Sequence, residues 1–259
     1  MSDTRPIGIF DSGLGGLTVA KQIVKLLPNE NIIYLGDNAR VPYGGRSKET
    51  VTKFSFEDTN FLLNKNVKCI VIACNTASAL AGEALKKKIK IPVFDVITPA
   101  LKEANKISKN NRIGVIGTRG TIGSGAYNVS FAKACPLFVP FIEEGETKSD
   151  ALKIVANDYL KDFVKDKIDT LILGCTHYPI IKDIIQETIG DGVQLVDPGI
   201  SVAKELLSYL ENNDLLNAQK ELGEHKYFVT DYTERFIKVA EMFLGESLRE
   251  KLEKAIIET

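Results

Sequence analysis

The sequence contains no tryptophan, only two methionines and only two histidines, His177 and His225, in 259 residues. So few imidazoles leave no ligand spacing for a zinc site, and no metal is expected. The four cysteines, Cys69, Cys74, Cys135 and Cys175, include no Cys-x-x-Cys pair. That removes the usual signature of redox dithiol chemistry, and a reducing compartment argues against a disulfide framework. Charge of one sign is missing too, since 33 basic residues face 34 acidic ones for a net charge of −1. Nucleic acid and membrane surfaces are therefore not expected partners. No apolar run approaches the roughly 18 residues of a membrane span, and the opening "MSDTRPIGIF" has no hydrophobic leader segment. A cytoplasmic protein is the expectation. There is no Gly-Lys-Ser/Thr, so the P-loop is absent as well.

What is present is ordinary globular composition, 44% apolar and 26% charged, in a chain long enough for one large or two modest domains. "LKKKIK" (85–90) reads as a solvated helix face. Short apolar strands alternate with helical patterns, which predicts an α/β fold with mainly parallel sheets. Strands are expected at 7–10, 31–35, 69–73, 92–96, 112–117, 137–142, 170–174, 193–197 and 227–230. Helices are expected through "LTVAKQIVKLL", over 47–64, in "AGEALKKK", over 149–165, through "IIKDIIQETI", from Ser201 as N-cap to about Leu210, and from about Thr233.

The pattern restarts halfway. "IGIFDS" from Ile7 is echoed by "IGVIGT" from Ile113, with Ser12 and Thr118 separated by 106 positions. Asp37 and Glu143 are also 106 apart, and Cys74 and Cys175 are 101 apart. The expectation is two pseudo-symmetric α/β domains, 1–97 plus 209–259 and 98–208. In open α/β sheets ligands bind beyond the carboxyl ends of the strands, so the site is expected in the cleft between them.

Two features could carry chemistry there. The turn "DSGLGGLT" sits between a strand and a helix, which invites a dinucleotide reading. Thr18 occupies the position that needs Gly or Ala, and Asp11 would face the pyrophosphate. The alternatives are a tight connection or a backbone nest for a small carboxylate, and "GTRGTIGSG" (117–125) offers a similar turn in the second half. The second feature is the thiols. Cys69 and Cys135 read as core packing, the usual fate of cysteine. Cys74 and Cys175 each end an apolar run, "IVIACNTAS" and "LILGCTHYP", with a threonine close by, and Cys175 lies two residues before His177. Nucleophilic catalysis would leave one of these thiols idle. A two-base proton transfer uses both, because one thiolate removes a proton from carbon and the opposed thiol returns one to the other face. No lysine ends a strand in either half to hold pyridoxal phosphate, so no cofactor is expected.

Five segments in order, "IGIFDSGLGGLTV", "YLGDNARVPYG", "VIACNTASA", "LFVPFIEEG" and "LILGCTHYP", resemble the cofactor-independent glutamate racemases of the aspartate/glutamate racemase superfamily. The resemblance implies a supplier of D-glutamate for peptidoglycan, acting on L- and D-glutamate. It implies that Cys74 deprotonates D-glutamate and Cys175 L-glutamate, with Asp11 beside Cys74 and His177 beside Cys175 as helpers. Asp37 and Glu143 become a second polar pair, and spacing alone does not separate Glu143 from Glu144. Ser12, Tyr43, Gly44, Asn75, Thr76, Thr118, Thr121 and Thr176 become substrate-holding residues. A homodimer is expected by resemblance, and activation by a cell-wall precursor is not, because Asp11 lies so near the start. Competing readings are a racemase for aspartate or another acidic amino acid, a nucleotide-binding enzyme, and a non-catalytic regulator that binds a partner enzyme.

Overall fold

The structure is a computed structural model and describes residues 3–231, 234–245, 247–248 and 251–257. In chain order it begins β1 (Ile7–Asp11), α1 (Leu17–Leu26), β2 (Ile32–Gly36), α2 (Lys48–Leu63), β3 (Cys69–Ile72), α3 (Asn75–Lys88) and β4 (Val93–Asp95). It continues with α4 (Ile97–Ile107), β5 (Ile113–Gly117), α5 (Arg119–Gly123), β6 (Phe131–Ala134), α6 (Phe138–Glu143) and α7 (Asp150–Lys165). It ends with β7 (Thr170–Gly174), α8 (Lys182–Ile189), β8 (Gln194–Val196), α9 (Pro198–Asn212), β9 (His225–Val229), α10 (Glu234–Leu244) and β10 (Leu252–Lys254).

The strands form two all-parallel sheets, one ordered β10-β9-β2-β1-β3-β4 and one ordered β6-β5-β7-β8. The central strands β1, β5 and β7 are buried at every residue. Helices cover both faces of a parallel sheet, so its strands are apolar runs rather than alternating ones. The first sheet takes β9 and β10 from the carboxyl-terminal part of the chain. Helix α9 makes that return, packing against α1 of the first half and α4 of the second.

Three expectations are corrected. "LFVPFI" is not a strand: residues 138–143 form α6, with Phe138 and Ile142 buried four positions apart on one face. Pro140 is the reason. It lacks the N–H that an interior strand must donate, yet fits the first turn of a helix, where that N–H has no partner anyway. The strand beside β5 is β6, and the residue following it is Cys135, so the topological counterpart of Asp37 is Cys135, not Glu143. The N-cap of α9 is Asp197 rather than Ser201, its side chain accepting the Gly199 N–H at 2.8 Å. Helix α4 was not expected; Asp95 caps it, accepting the Ile97 and Thr98 N–H groups at 2.8 and 2.7 Å. The expected helix start at Thr233 lies outside the described residues.

Candidate active site

Strand pairing brings the two thiols to equivalent places. Phe10 pairs with Ile72 across β1 and β3, and Gly117 pairs with Gly174 across β5 and β7. Continuing the register sets Ser12 beside Cys74 and Thr118 beside Cys175. Cys74 occupies the N-cap of α3, a position where a side-chain acceptor meets free backbone N–H groups. Its Sγ accepts the Ala77 N–H at 3.4 Å and donates to Ser12 Oγ at 3.6 Å. Cys175 Sγ lies 4.0 Å from His177 Nδ1, and His177 Nε2 is 2.9 Å from Glu143 Oε1. The Phe243 ring meets the imidazole edge-on at 5.3 Å.

Both thiols line one cavity of about 330 Å³ between the halves, together with Ser12, Asn75, Thr76, Thr118, Thr176 and His177. Tyr43, Gly44 and Glu143 complete the expected set on its wall. Cys69 and Cys135 are fully buried elsewhere. Glu143, not Glu144, is therefore the glutamate that reaches the site.

Three expected residues stand behind the wall rather than on it. Thr121 closes a triangle of hydroxyls, 3.2 Å from Thr76 and 3.0 Å from Thr118, which are 2.9 Å from each other. Because Thr76 belongs to the first half and the other two to the second, this triangle stitches the halves together. Asp37 is fully buried and is joined to the cavity wall by Tyr43, whose hydroxyl donates to it at 2.5 Å. Asp11 ends β1 with its Oδ2 accepting the Gly13 N–H at 3.0 Å.

That last bond bears on the glycine turn. The Gly13 N–H serves the Asp11 carboxylate, so that donor is not turned toward a ligand carboxylate or a pyrophosphate. Thr18 has its own reason, since its hydroxyl lies 2.8 Å from both the Gly15 carbonyl and, across the cleft, the Thr176 carbonyl, with one proton to share between them. Glycine or alanine there would lose that tie, worth about 1 kcal/mol.

Electrostatics distinguish the two thiols. Burial pushes the Cys74 thiol up to about 12, reinforced by the Asp11 charge and opposed by the Ala77 N–H and Ser12. Burial acts against the charged form of His177, but the contacts with Cys175 and Glu143 outweigh it and raise the imidazole to about 10. Burial raises Asp11 as well, against the opposing pull of His177 and the turn N–H groups. A neutral thiol on one side thus faces a cationic imidazole beside the other.

The sequence reading missed the apolar lining of Val41, Pro42, Pro136, Val139 and Pro140, and exposed Arg119 beside it. The prolines of "RVPYGG" and "CPLFVP" were the available signal, as rigid segments flanking the polar motifs. Nothing in the sequence marked Arg119.

Residues 7–206 match the family model described as Asp/Glu/Hydantoin racemase. The chain belongs to that family. It is 48% identical over 254 residues to the glutamate racemase of Geobacter metallireducens, covering 94% of each chain. The crystal structure of glutamate racemase from Francisella tularensis in complex with D-glutamate superposes with a TM-score of 0.92 at 43% identity, over 99% of both chains. The Thermus thermophilus glutamate racemase in complex with β-chloro-D-alanine gives 0.91 at 42% identity, over 98% of both. An aspartate racemase from Picrophilus torridus shares the fold, with a TM-score of 0.58 at 17% identity. As a racemase of this family, the protein has its most distinctive side chains gathered in the cavity just described.

Proposed function

We propose that the protein is a glutamate racemase that interconverts L- and D-glutamate by proton transfer between Cys74 and Cys175, without a cofactor. The observation that carries this reading is that two thiols, one from each sheet, line a single small cavity among neutral hydroxyl and amide donors. Such a volume suits a small molecule. Both glutamate racemase structures match nearly the whole chain, whereas the aspartate racemase likeness reaches only the fold.

The α-proton of an amino acid is very weakly acidic, so the carbanion needs fixed donors and a site closed to water. Ser12, Asn75, Thr76, Thr118 and Thr176 supply donors without cancelling the ammonium charge, beside an apolar lining. With L-glutamate bound, Cys175 takes the α-proton with His177 and Glu143 behind it, and the Cys74 thiol delivers a proton to the opposite face. The reverse direction starts at Cys74, with Asp11 as its helper. Asp37 acts at one remove, through Tyr43.

D-glutamate supply for peptidoglycan, a cytoplasmic location and a homodimer belong to the same reading, supported by the family resemblance. So does a division into 1–97 plus 209–259 and 98–208, in keeping with strands of the first sheet drawn from both parts of the chain. The test is circular dichroism of L-glutamate and L-aspartate, in parallel, with the purified reduced protein and no additions. Decay of the L-glutamate signal to zero is expected. A static glutamate signal, or decay with aspartate alone, would overturn the assignment.

A further inference from the structure

Helix α2 carries a polar residue where its apolar stripe should run. Val51, Ser55, Asp58 and Leu62 share the buried face, and Asp58 is fully buried. A carboxyl is expensive there unless paired or neutral. Asp58 Oδ2 lies 2.9 Å from the Tyr43 hydroxyl, and the same hydroxyl lies 2.5 Å from Asp37 Oδ2. Tyrosine has one O–H proton, so it donates to one carboxyl only. The other oxygen must itself carry a proton, or two acceptors would face each other without one.

We propose that Asp58 is a positioning residue of the site, sharing one proton with Asp37 through the Tyr43 hydroxyl and thereby holding the Pro42–Gly45 wall of the cavity in place.

The charge count agrees. One guanidinium, Arg40, serves three carboxylates, reaching Asp37 through Nε at 2.6 Å, Asp58 through Nη2 at 3.0 Å, and Glu57 through Nη1. Lys53, on the same helix, lies 3.7 Å from Glu57 and is largely exposed. The Thr230 hydroxyl, just past β9, donates to Asp37 Oδ1 at 3.1 Å. The Phe54 ring covers the cluster, 4.1 Å from the Arg40 guanidinium and 5.7 Å from the Tyr43 ring. These donors also place the proton. Tyr43 apart, Asp37 accepts from Arg40 at 2.6 Å and from Thr230, donors that stabilise a carboxylate, while among the described residues Asp58 has the longer Arg40 bond. The order is therefore Asp58 O–H to Tyr43 oxygen, and Tyr43 O–H to Asp37. Burial and the Asp37 charge push the Asp58 carboxyl well above the usual carboxylate range, in the same sense.

The consequence reaches the cavity because Tyr43 and Gly44 line it. Gly44 is pressed so closely on the second half that a Cβ there would sit 2.7 Å from Thr118 Cβ. A tilt of the tyrosine moves that contact.

The kinetic arm of the test rests on glutamate as substrate, and the spectroscopic arm does not. Infrared spectra of the native protein at neutral pH should contain the carbonyl stretch of a protonated carboxylic acid, absent from Asp58→Asn. The amide of that variant can accept from Arg40 and donate to Tyr43 as the protonated acid does. In the native protein KM should rise at alkaline pH, as the shared proton is lost; the variant should keep KM for L-glutamate within about 3-fold of native and show no such rise. Asp58→Leu, Tyr43→Phe and Asp37→Asn should each raise KM at least tenfold, with smaller changes in kcat. If Asp58→Leu does not fold by circular dichroism, Tyr43→Phe and the infrared band still decide. No carboxylic acid band in the native protein, a band that survives in Asp58→Asn, or a tolerated Asp37→Asn beside a damaged Asp58→Asn would overturn the proposal.

Discussion

Gly15 and His177, from opposite halves of the chain, touch so closely that a Cβ on the glycine would lie 2.5 Å from His177 Nδ1. The same Cβ would lie 2.1 Å from Thr176 Oγ1. The glycine turn is therefore the surface against which the Cys175 side of the site is set.

Gly15→Ala should push the imidazole off its line between Cys175 and Glu143. Misplacement of about 1 Å can cost about 100-fold in rate, so kcat from L-glutamate should fall by about 10- to 100-fold. Overpacking should add a stability loss of about 1–3 kcal/mol. Steady-state kinetics and thermal melting measure both. Native kcat in a folded variant would show that the contact does not position His177.

His177 should be cationic through the neutral range. Its folded value of about 10 lies above the ordinary 6.5. The stabilisation is then complete below the unfolded value and is lost as pH rises through the folded one. The stability gap between native protein and His177→Asn should therefore shrink between roughly pH 6.5 and 10 and stay constant below. Imidazole NMR should show no titration of His177 between pH 6 and 8. A midpoint in that interval would contradict the placement of charge beside Cys175.

At the opposite ends of the strands, Lys68 and Glu30 form a buried ion pair at 2.6 Å. Lys68 Nζ also donates to the Asp3 and Leu215 carbonyls, tying the amino-terminal segment and the segment after α9 to the start of β3. Lys68→Met leaves Glu30 buried without its cation, a loss of about 3–5 kcal/mol. Urea unfolding should register that loss, and KM for glutamate should stay within twofold at temperatures where the variant is folded. A stable variant with altered KM would mean that the two ends of the sheet are coupled.

The thiol pair was legible because an apolar run that ends in Cys-Asn-Thr or Cys-Thr-His has no packing use for those groups. The parallel strands were legible for the same reason: "IGIF" and "LILG" are apolar throughout, as buried strands must be. Glu143 shows the limit. An offset of 106 positions matched it to Asp37, yet the matching strand, "FAKA", starts six residues before "LFVPFI" and is too short and mixed to stand out. Asp58 was overlooked although a charged residue on the stripe of Val51 and Leu62 was visible; what it faces, Tyr43 and Asp37, depends on how α2 folds over β2. Arg119 reaches the rim only through the packing of α5, which no local pattern encodes.

The most direct test removes one thiol at a time. Cys74→Ser and Cys175→Ser should each abolish racemisation in both directions, since every turnover needs one abstraction and one donation. A glutamate analogue with a leaving group on nitrogen separates the two events. Loss of the α-proton to the thiolate then forms the C=N bond as the leaving group departs with its electron pair, and no proton returns to carbon. Cys74→Ser should eliminate from the L-analogue through Cys175 and not from the D-analogue, and Cys175→Ser the reverse. Equal loss for both enantiomers in both variants would contradict two opposed thiol bases.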